Sequence, residues 1–301
     1  MKKMNKIRKI LCLFIVLCLF CGCSDSKEYP TKGKNTPSQT ESQVLWPSFD
    51  QSDVFSDGSL VLVDVTHIND GYVGARLLQD TTGIKFQISK EDKNYNYDLK
   101  STDFTTFPIN MGDGSYTLKI LQQIEGTKYA ICASRTMDVS LTNALNPYLY
   151  PNQIVDYTKD SFVYKKSFEL VKEDKDDITR IAHLFKYVVD TLDYDDQKAK
   201  DVSDTFVLPD IDGSLKSKKG ICFDYAASLA ALCRIQGIPA KVIVGWTDIE
   251  YHSWVEVYLK DKGWINPKIY FKKEKWNLVD PTFADSKNSD YEGKYDEVYH
   301  Y

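Results

Sequence analysis

The chain has 301 residues, with 38 Lys and Arg against 43 Asp and Glu for a net charge of −5, and is 43% hydrophobic and 27% charged. Those proportions are ordinary for a globular protein and exclude a wholly disordered or collagenous chain, and the missing basic excess argues against a nucleic-acid partner. At about 150 residues per domain the length allows two modest domains, each able to bury a core.

The first nine residues carry Lys2, Lys3, Lys6, Arg8 and Lys9 and no acid, and an apolar run follows from Ile10 to Cys21. A basic start before a run well short of the roughly 20 apolar residues of a bilayer-spanning helix reads as an export signal. The run ends Leu19-Phe20-Cys21-Gly22-Cys23, which resembles the lipobox of bacterial lipoproteins, with Phe20 where that pattern has Leu. The resemblance implies removal of residues 1–22, lipid on Cys23 and attachment to the extracytoplasmic face of the cell membrane. The alternatives are an ordinary secretory signal or an uncleaved anchor. Removing five positive charges would take the net charge from −5 to −10. Residues 23–44, rich in Ser, Thr, Lys and Pro, hold too few large apolar side chains to offset the entropy of ordering and read as a flexible tether.

From 45 to 145 come short apolar and aromatic runs: Leu60 to Val65, Tyr72 to Leu78, Ile84 to Ile88, Tyr95 to Leu99, Tyr116 to Ile120, Tyr129 to Ala133 and Met137 to Leu141. Several alternate with period two, and Asp57-Gly58, Asp70-Gly71 and Asp113-Gly114 are turn signals. Seven strands over this length predict an immunoglobulin-like β-sandwich. His67, alone near a turn, reads as an ordinary surface residue. A joint follows from Asn146 to Tyr157, and 146–301 forms the second domain, of α+β class.

Helical periodicity first appears in Ile178, Ile181, Ala182, Phe185, Val188, Val189 and Leu192, with Asp174, Asp176 and Asp177 at the end where the helix dipole favours acids. His183 reads as an ordinary helix residue. Asp193, Asp195 and Asp196 lack the Gly and terminal Glu of a calcium loop. A second helix begins at Cys222 within Gly220-Ile221-Cys222-Phe223-Asp224-Tyr225 and ends at Gly237 and Pro239. The unpaired N–H groups and positive dipole end of its first turn favour negative charge on the Cys222 sulfur, and Lys216, Lys218 and Lys219 stand just upstream. Cys233, on the apolar stripe, reads as structural, as does Cys132 among strand residues.

Of seven Cys, three fall in the signal and Cys23 would carry lipid. Cys132, Cys222 and Cys233 remain, an odd number that cannot close a disulfide framework. A Cys132–Cys233 disulfide, affecting stability alone, is one possibility. With four His and no C-x-x-C in the mature chain there is no zinc spacing, and neither metal nor cofactor is expected.

A nucleophilic thiol needs a base, and the base an orienting partner. A strand from Lys241 to Thr247 precedes another, His252 to Leu259, on which His252, Trp254, Glu256 and Tyr258 share one face and Val255, Val257 and Leu259 the other. The run Trp276-Asn277-Leu278-Val279 leads to Asp280-Pro281-Thr282. Adjacent strands could place Asp280 beside His252, the pair facing the helix N-terminus.

Gly220 to Tyr225, Gly237-Ile238-Pro239-Ala240, His252-Ser253-Trp254-Val255-Glu256-Val257, Gly263-Trp264 and Asp280-Pro281-Thr282 together resemble the transglutaminase-like core, related to the papain-like thiol enzymes, over roughly 175–285. The resemblance implies Cys222 as nucleophile, His252 as general base and acid, and Asp280 as the residue that orients the imidazole. Ser253 stands where Ala is commoner, and a Lys-rich insert over 265–275 separates Gly263-Trp264 from Asp280. Tyr194 and Asp224 are candidate cleft-wall residues, with packing or capping equally open.

The resulting expectation is a membrane-anchored cysteine enzyme that forms a thioester on an amide of a peptide, protein or peptidoglycan-peptide substrate, hydrolysis favoured over amine crosslinking. The alternative is a non-enzymatic binding or scaffolding lipoprotein with a relic core.

Overall fold

The computed structural model describes residues 36–202, 205–248, 251–266 and 294–301. The export signal, Cys23, Asp280 and nearly all of the insert therefore lie outside the described residues. Among the described residues no helix is long and apolar enough to cross a membrane.

The first half forms eight strands: β1 (Val54–Ser56), β2 (Val61–Asp64), β3 (Tyr72–Leu77), β4 (Ile84–Lys90), β5 (Lys93–Asp98), β6 (Thr105–Pro108), β7 (Gly114–Glu125) and β8 (Lys128–Val139). They make two antiparallel sheets, ordered β1-β2-β3-β6 and β5-β4-β7-β8. Inward residues of both sheets, among them Val63, Val73, Phe86, Tyr97, Phe107 and Leu118, share one buried core. Two runs read as separate strands, 129–133 and 137–141, are one twelve-residue β8, paired with β7 through a register shift between Ile120 and Leu121. Ser134, Arg135 and Thr136, between the two runs, pair with Lys119, Leu118 and Thr117 and carry the ladder through. β1 and β6 are short and escape the periodicity argument.

The second half opens with α1 (Phe162–Leu170) and α2 (Asp177–Thr191), then β9 (Asp193–Tyr194), α3 (Asp196–Asp201), α4 (Ile211–Ser217) and β10 (Lys219–Gly220). It continues with α5 (Cys222–Ile235), β11 (Ala240–Thr247), β12 (Tyr251–Leu259), β13 (Gly263–Ile265) and β14 (Tyr295–His300). The α2 stripe Ile181, Leu184, Phe185 and Val188 is buried, and the Asp176 carboxylate caps the helix by accepting from the Thr179 N–H at 2.9 Å. α5 is buried on nearly every side, the mark of a central helix rather than a surface one. It packs on α1, α2 and α4 and, elsewhere on its surface, on β11 and β12.

The C-terminal end of α5 is fixed by two mechanisms. Gly237 adopts φ +70, and the N–H groups of Gly237 and Ile238 return to the carbonyls of Arg234 and Cys233, the Schellman arrangement that a glycine permits without strain. Arg234 is wholly buried and donates to the carbonyls of Ala240, Tyr150 and Tyr301, tying the helix to β11, to the joint and to the last residue. Burial pushes its guanidinium down to about 10. The sheet runs β13-β12-β11-β14, all antiparallel.

The Cys132–Cys233 disulfide does not form. Cys132 is exposed on β8, Cys233 is buried in α5, and both are free thiols.

Candidate active site

Cys222 is the first residue of α5, as its sequence setting predicts, and its free thiol is half-buried. The turn before it is held by Asp224, which is 1% exposed. Its carboxylate accepts from the Ile221 N–H at 2.9 Å, from the Asp210 N–H at 3.2 Å and from the Lys198 ammonium at 2.6 Å. Asp224 thus supplies one half of a capping box, accepting from the N-cap N–H; Ile221 has no side-chain acceptor to supply the other half. Lys198 neutralises Asp224 from α3. Gly220 is required here: a Cβ on it would stand 2.9 Å from the Asp224 Cβ. Asp224 is therefore a capping residue rather than a cleft wall, and its environment was invisible from sequence because Lys198 and Asp210 come from separate segments.

A cavity of about 300 Å³ opens at Cys222. Ile221 and Phe223 flank the thiol, Phe206 and Val207 come from the segment before α4, and Tyr251 and Ser253 from β12. Val244, Tyr299, Tyr301, Asn96 of β5 and, after α3, Val202 and Thr205 complete the described walls. Sequence reading gave no sign of Asn96 or the terminal tyrosines, because only folding brings them to the helix N-terminus.

His252 is 1% exposed on β12, opposite Gly245 of β11. The register is regular from Ala240 opposite Val257 to Trp246 opposite Tyr251. Ser253, Val255 and Val257 pair with Val244, Val242 and Ala240, and the apolar members of these pairs join the same core as α5. Alternation then sends His252 and Trp254 to the opposite face, where the Trp254 ring meets Tyr295 of β14 at 5.0 Å. The residues on either side of His252 reach the Cys222 cavity, while His252 itself lies on the face away from the body of α5. That face also carries Lys241, whose ammonium lies 4.0 Å from the Trp264 ring centroid and 3.8 Å from the Glu256 carboxylate. Burial pushes Lys241 down and Glu256 up. Glu297, bonded to His300 at 2.6 Å, is held below the ordinary carboxylate range chiefly by that bond.

Asp280 lies outside the described residues. Lys216 pairs with Asp212 at 3.2 Å, and Lys218 takes the left-handed cap of α4 at φ +61. Tyr194 packs against the core around α5. His183 bonds Asp174 at 2.8 Å. His67 is more engaged than an ordinary surface residue: it bridges Asp70 and Asp50, both at 2.9 Å, and stacks on Tyr72.

Residues 164–269, about a third of the chain, match the family model of the transglutaminase-like superfamily. A 68-residue stretch is 32% identical to the uncharacterized protein YebA of Bacillus subtilis (strain 168), covering 17% of this chain and 9% of that protein. Among solved structures, a candidate cysteine protease from Cytophaga hutchinsonii is similar over 74% of this chain and 85% of its own, with 10% identity and a TM-score of 0.36. The periplasmic domain of TgpA from Pseudomonas aeruginosa is similar over 85% of this chain and 80% of its own, with 14% identity and a TM-score of 0.33. The segment from 164 to 269, which contains both Cys222 and His252, is a transglutaminase-like core.

Proposed function

We propose that the protein is a cysteine acyl-transfer enzyme, with Cys222 as nucleophile, His252 as acid and base and Asp280 as its orienting residue. The observation that carries the reading is Cys222 itself: a free thiol on the first turn of a buried helix, in a cavity, inside a transglutaminase-like core. The sulfur would bond to an amide carbonyl carbon as its proton passes to the imidazole, with first-turn N–H groups donating to the oxyanion. The C–N bond then breaks, the imidazolium protonates the departing amine, and a thioester remains. Water attack returns the thiol and a carboxylic acid; attack by a second amine gives a new amide. Hydrolysis is the favoured outcome, on a peptide, protein or peptidoglycan-peptide amide, with the chain held to the extracytoplasmic face of the cell membrane by lipid on Cys23. The N-terminal unit fits an immunoglobulin-like sandwich, supported by β2-β3-β6 packing face to face with β5-β4-β7-β8.

The reading requires the His252 imidazole at the Cys222 sulfur. On a strand, bringing His252 to the α5 face takes a one-residue slip, which would also turn Val255 and Val257 out of the core. The placement of His252 opposite α5 favours a second reading, a binding module with a relic core. Mass spectrometry of peptides and peptidoglycan fragments incubated with the wild type and Cys222→Ala separates them. Amide loss or new isopeptide links in the wild type alone support the enzyme. In parallel, iodoacetamide labelling of Cys222 that slows in His252→Ala supports the thiol–imidazole partnership, and equal labelling with no change in any substrate leaves the binding module.

A further inference from the structure

Large apolar side chains are rarely exposed in one place without a partner to cover them. Among the described residues eight large hydrophobics are exposed, and three of them stand around the Cys222 cavity: Phe206 at 63%, Val207 at 43% and Tyr251 at 47%. A fourth, Trp246, at 56%, meets the Tyr251 ring at 5.0 Å and extends the same patch. Phe206 leans on Phe223, the neighbour of the thiol, with centroids 5.8 Å apart.

The described walls hold no charged side chain. Their polar groups are the Asn96 amide, the hydroxyls of Thr205 and Ser253, and the tyrosine hydroxyls of Tyr251, Tyr299 and Tyr301, all suited to hydrogen-bonding neutral amide groups. Among the described walls a carboxylate or ammonium would lose water without gaining an opposite charge. At about 300 Å³ the cavity is at the small end of ligand pockets, which suits one or two side chains rather than a large cofactor.

We propose that this cavity binds an uncharged peptide segment, an aromatic or large aliphatic side chain seated between Phe206, Val207 and Tyr251 and the adjoining amide presented to Cys222. The inference rests on the reading of Cys222 as nucleophile for its orientation, but not for its occupancy. Asn96 makes the β-sheet unit a part of the site rather than a spacer; its carbonyl oxygen accepts from the Gln87 amide at 2.8 Å, which leaves its N–H groups for the backbone of the bound segment.

Protection of Cys222 from iodoacetamide, read residue by residue on the full chain by mass spectrometry, tests occupancy without needing turnover. The probes are N-acetyl-Phe-Ala amide, N-acetyl-Glu-Ala amide and N-acetyl-Lys-Ala amide. The Phe probe is expected to protect at about tenfold lower concentration than either charged one. Phe206→Ala, a change at an exposed side chain, should erase most of that advantage, and Phe206→Lys should shift preference toward the Glu probe. Equal protection by all three probes, or an advantage untouched in both variants, overturns the proposal. Selective protection with no amine released upholds the pocket and removes the catalytic reading, whereas amine released from all three probes at equal rates removes the pocket and upholds the catalysis.

Discussion

Cys222 and Cys233 lie on the same helix and share a residue type, yet their surroundings give them opposite roles. Cys222 is on the first turn, half-exposed at a cavity, where N–H groups have no intrahelical partner. Cys233 is fully buried among Ala, Leu and Ile of the central core, and burial pushes its thiol well above the ordinary range. Position along one helix, rather than residue identity, separates a candidate nucleophile from a packing residue.

The sharpest way to break that contrast is to unseat the first turn. Asp224→Ala removes the acceptor of the Ile221 and Asp210 N–H groups and the partner of the half-buried Lys198, and should cost about 2–3 kcal/mol, read by urea unfolding. Asp224→Asn keeps an acceptor for the Ile221 N–H and should cost clearly less. If both variants unfold at the wild-type midpoint, the carboxylate does not hold the turn.

Cys233→Ser places a hydroxyl in a fully buried apolar site and should cost about 1–3 kcal/mol, checked by the same unfolding curve. A smaller effect comes from outside the helix. Burial opposes protonation of His67, but the carboxylates of Asp70 and Asp50 outweigh it and raise its pKa. Because the folded pKa is raised, its contribution is full below about pH 6.5 and is lost as pH rises through the folded value. Both carboxylates are more than a third exposed, so the contribution is about 0.5 kcal/mol. The gap in unfolding midpoint between wild type and His67→Ala should therefore narrow from below about pH 6 to above about pH 8; a constant gap would show that the ring acts by stacking on Tyr72 alone.

Cys222→Ala should change stability least, within about 0.5 kcal/mol, while abolishing labelling at the site. Under native conditions iodoacetamide should modify Cys222 and leave Cys233 untouched until the chain unfolds. Equal labelling of both would erase the distinction between the two ends of the helix.

Much of this was legible before folding. The α2 stripe, the start of α5 at Cys222, its glycine stop and the strands now seen as β11 and β12 follow from periodicity and capping chemistry, which act over a few residues. The short α3, α4, β9 and β10 were not legible, because each is held by contacts with other segments: β9 pairs with β10, and the N–H groups at the start of α1 donate to Asp212 of α4. Lys198, Asn96 and Tyr301 carried no local signal for the same reason.

Sequence alone determined that one cysteine would open a helix and that His252 and Trp254 would share a face of a strand, since helical and strand periods are local properties of the backbone. Which face of that strand meets α5 was decided only by tertiary structure, because either facing satisfies the same alternation. The packing of Val255 and Val257 into the α5 core selected one of them. The cavity likewise exists only where segments far apart in the chain converge, with Asn96, Phe206 and Tyr299 brought to the thiol by the burial of apolar surface around them.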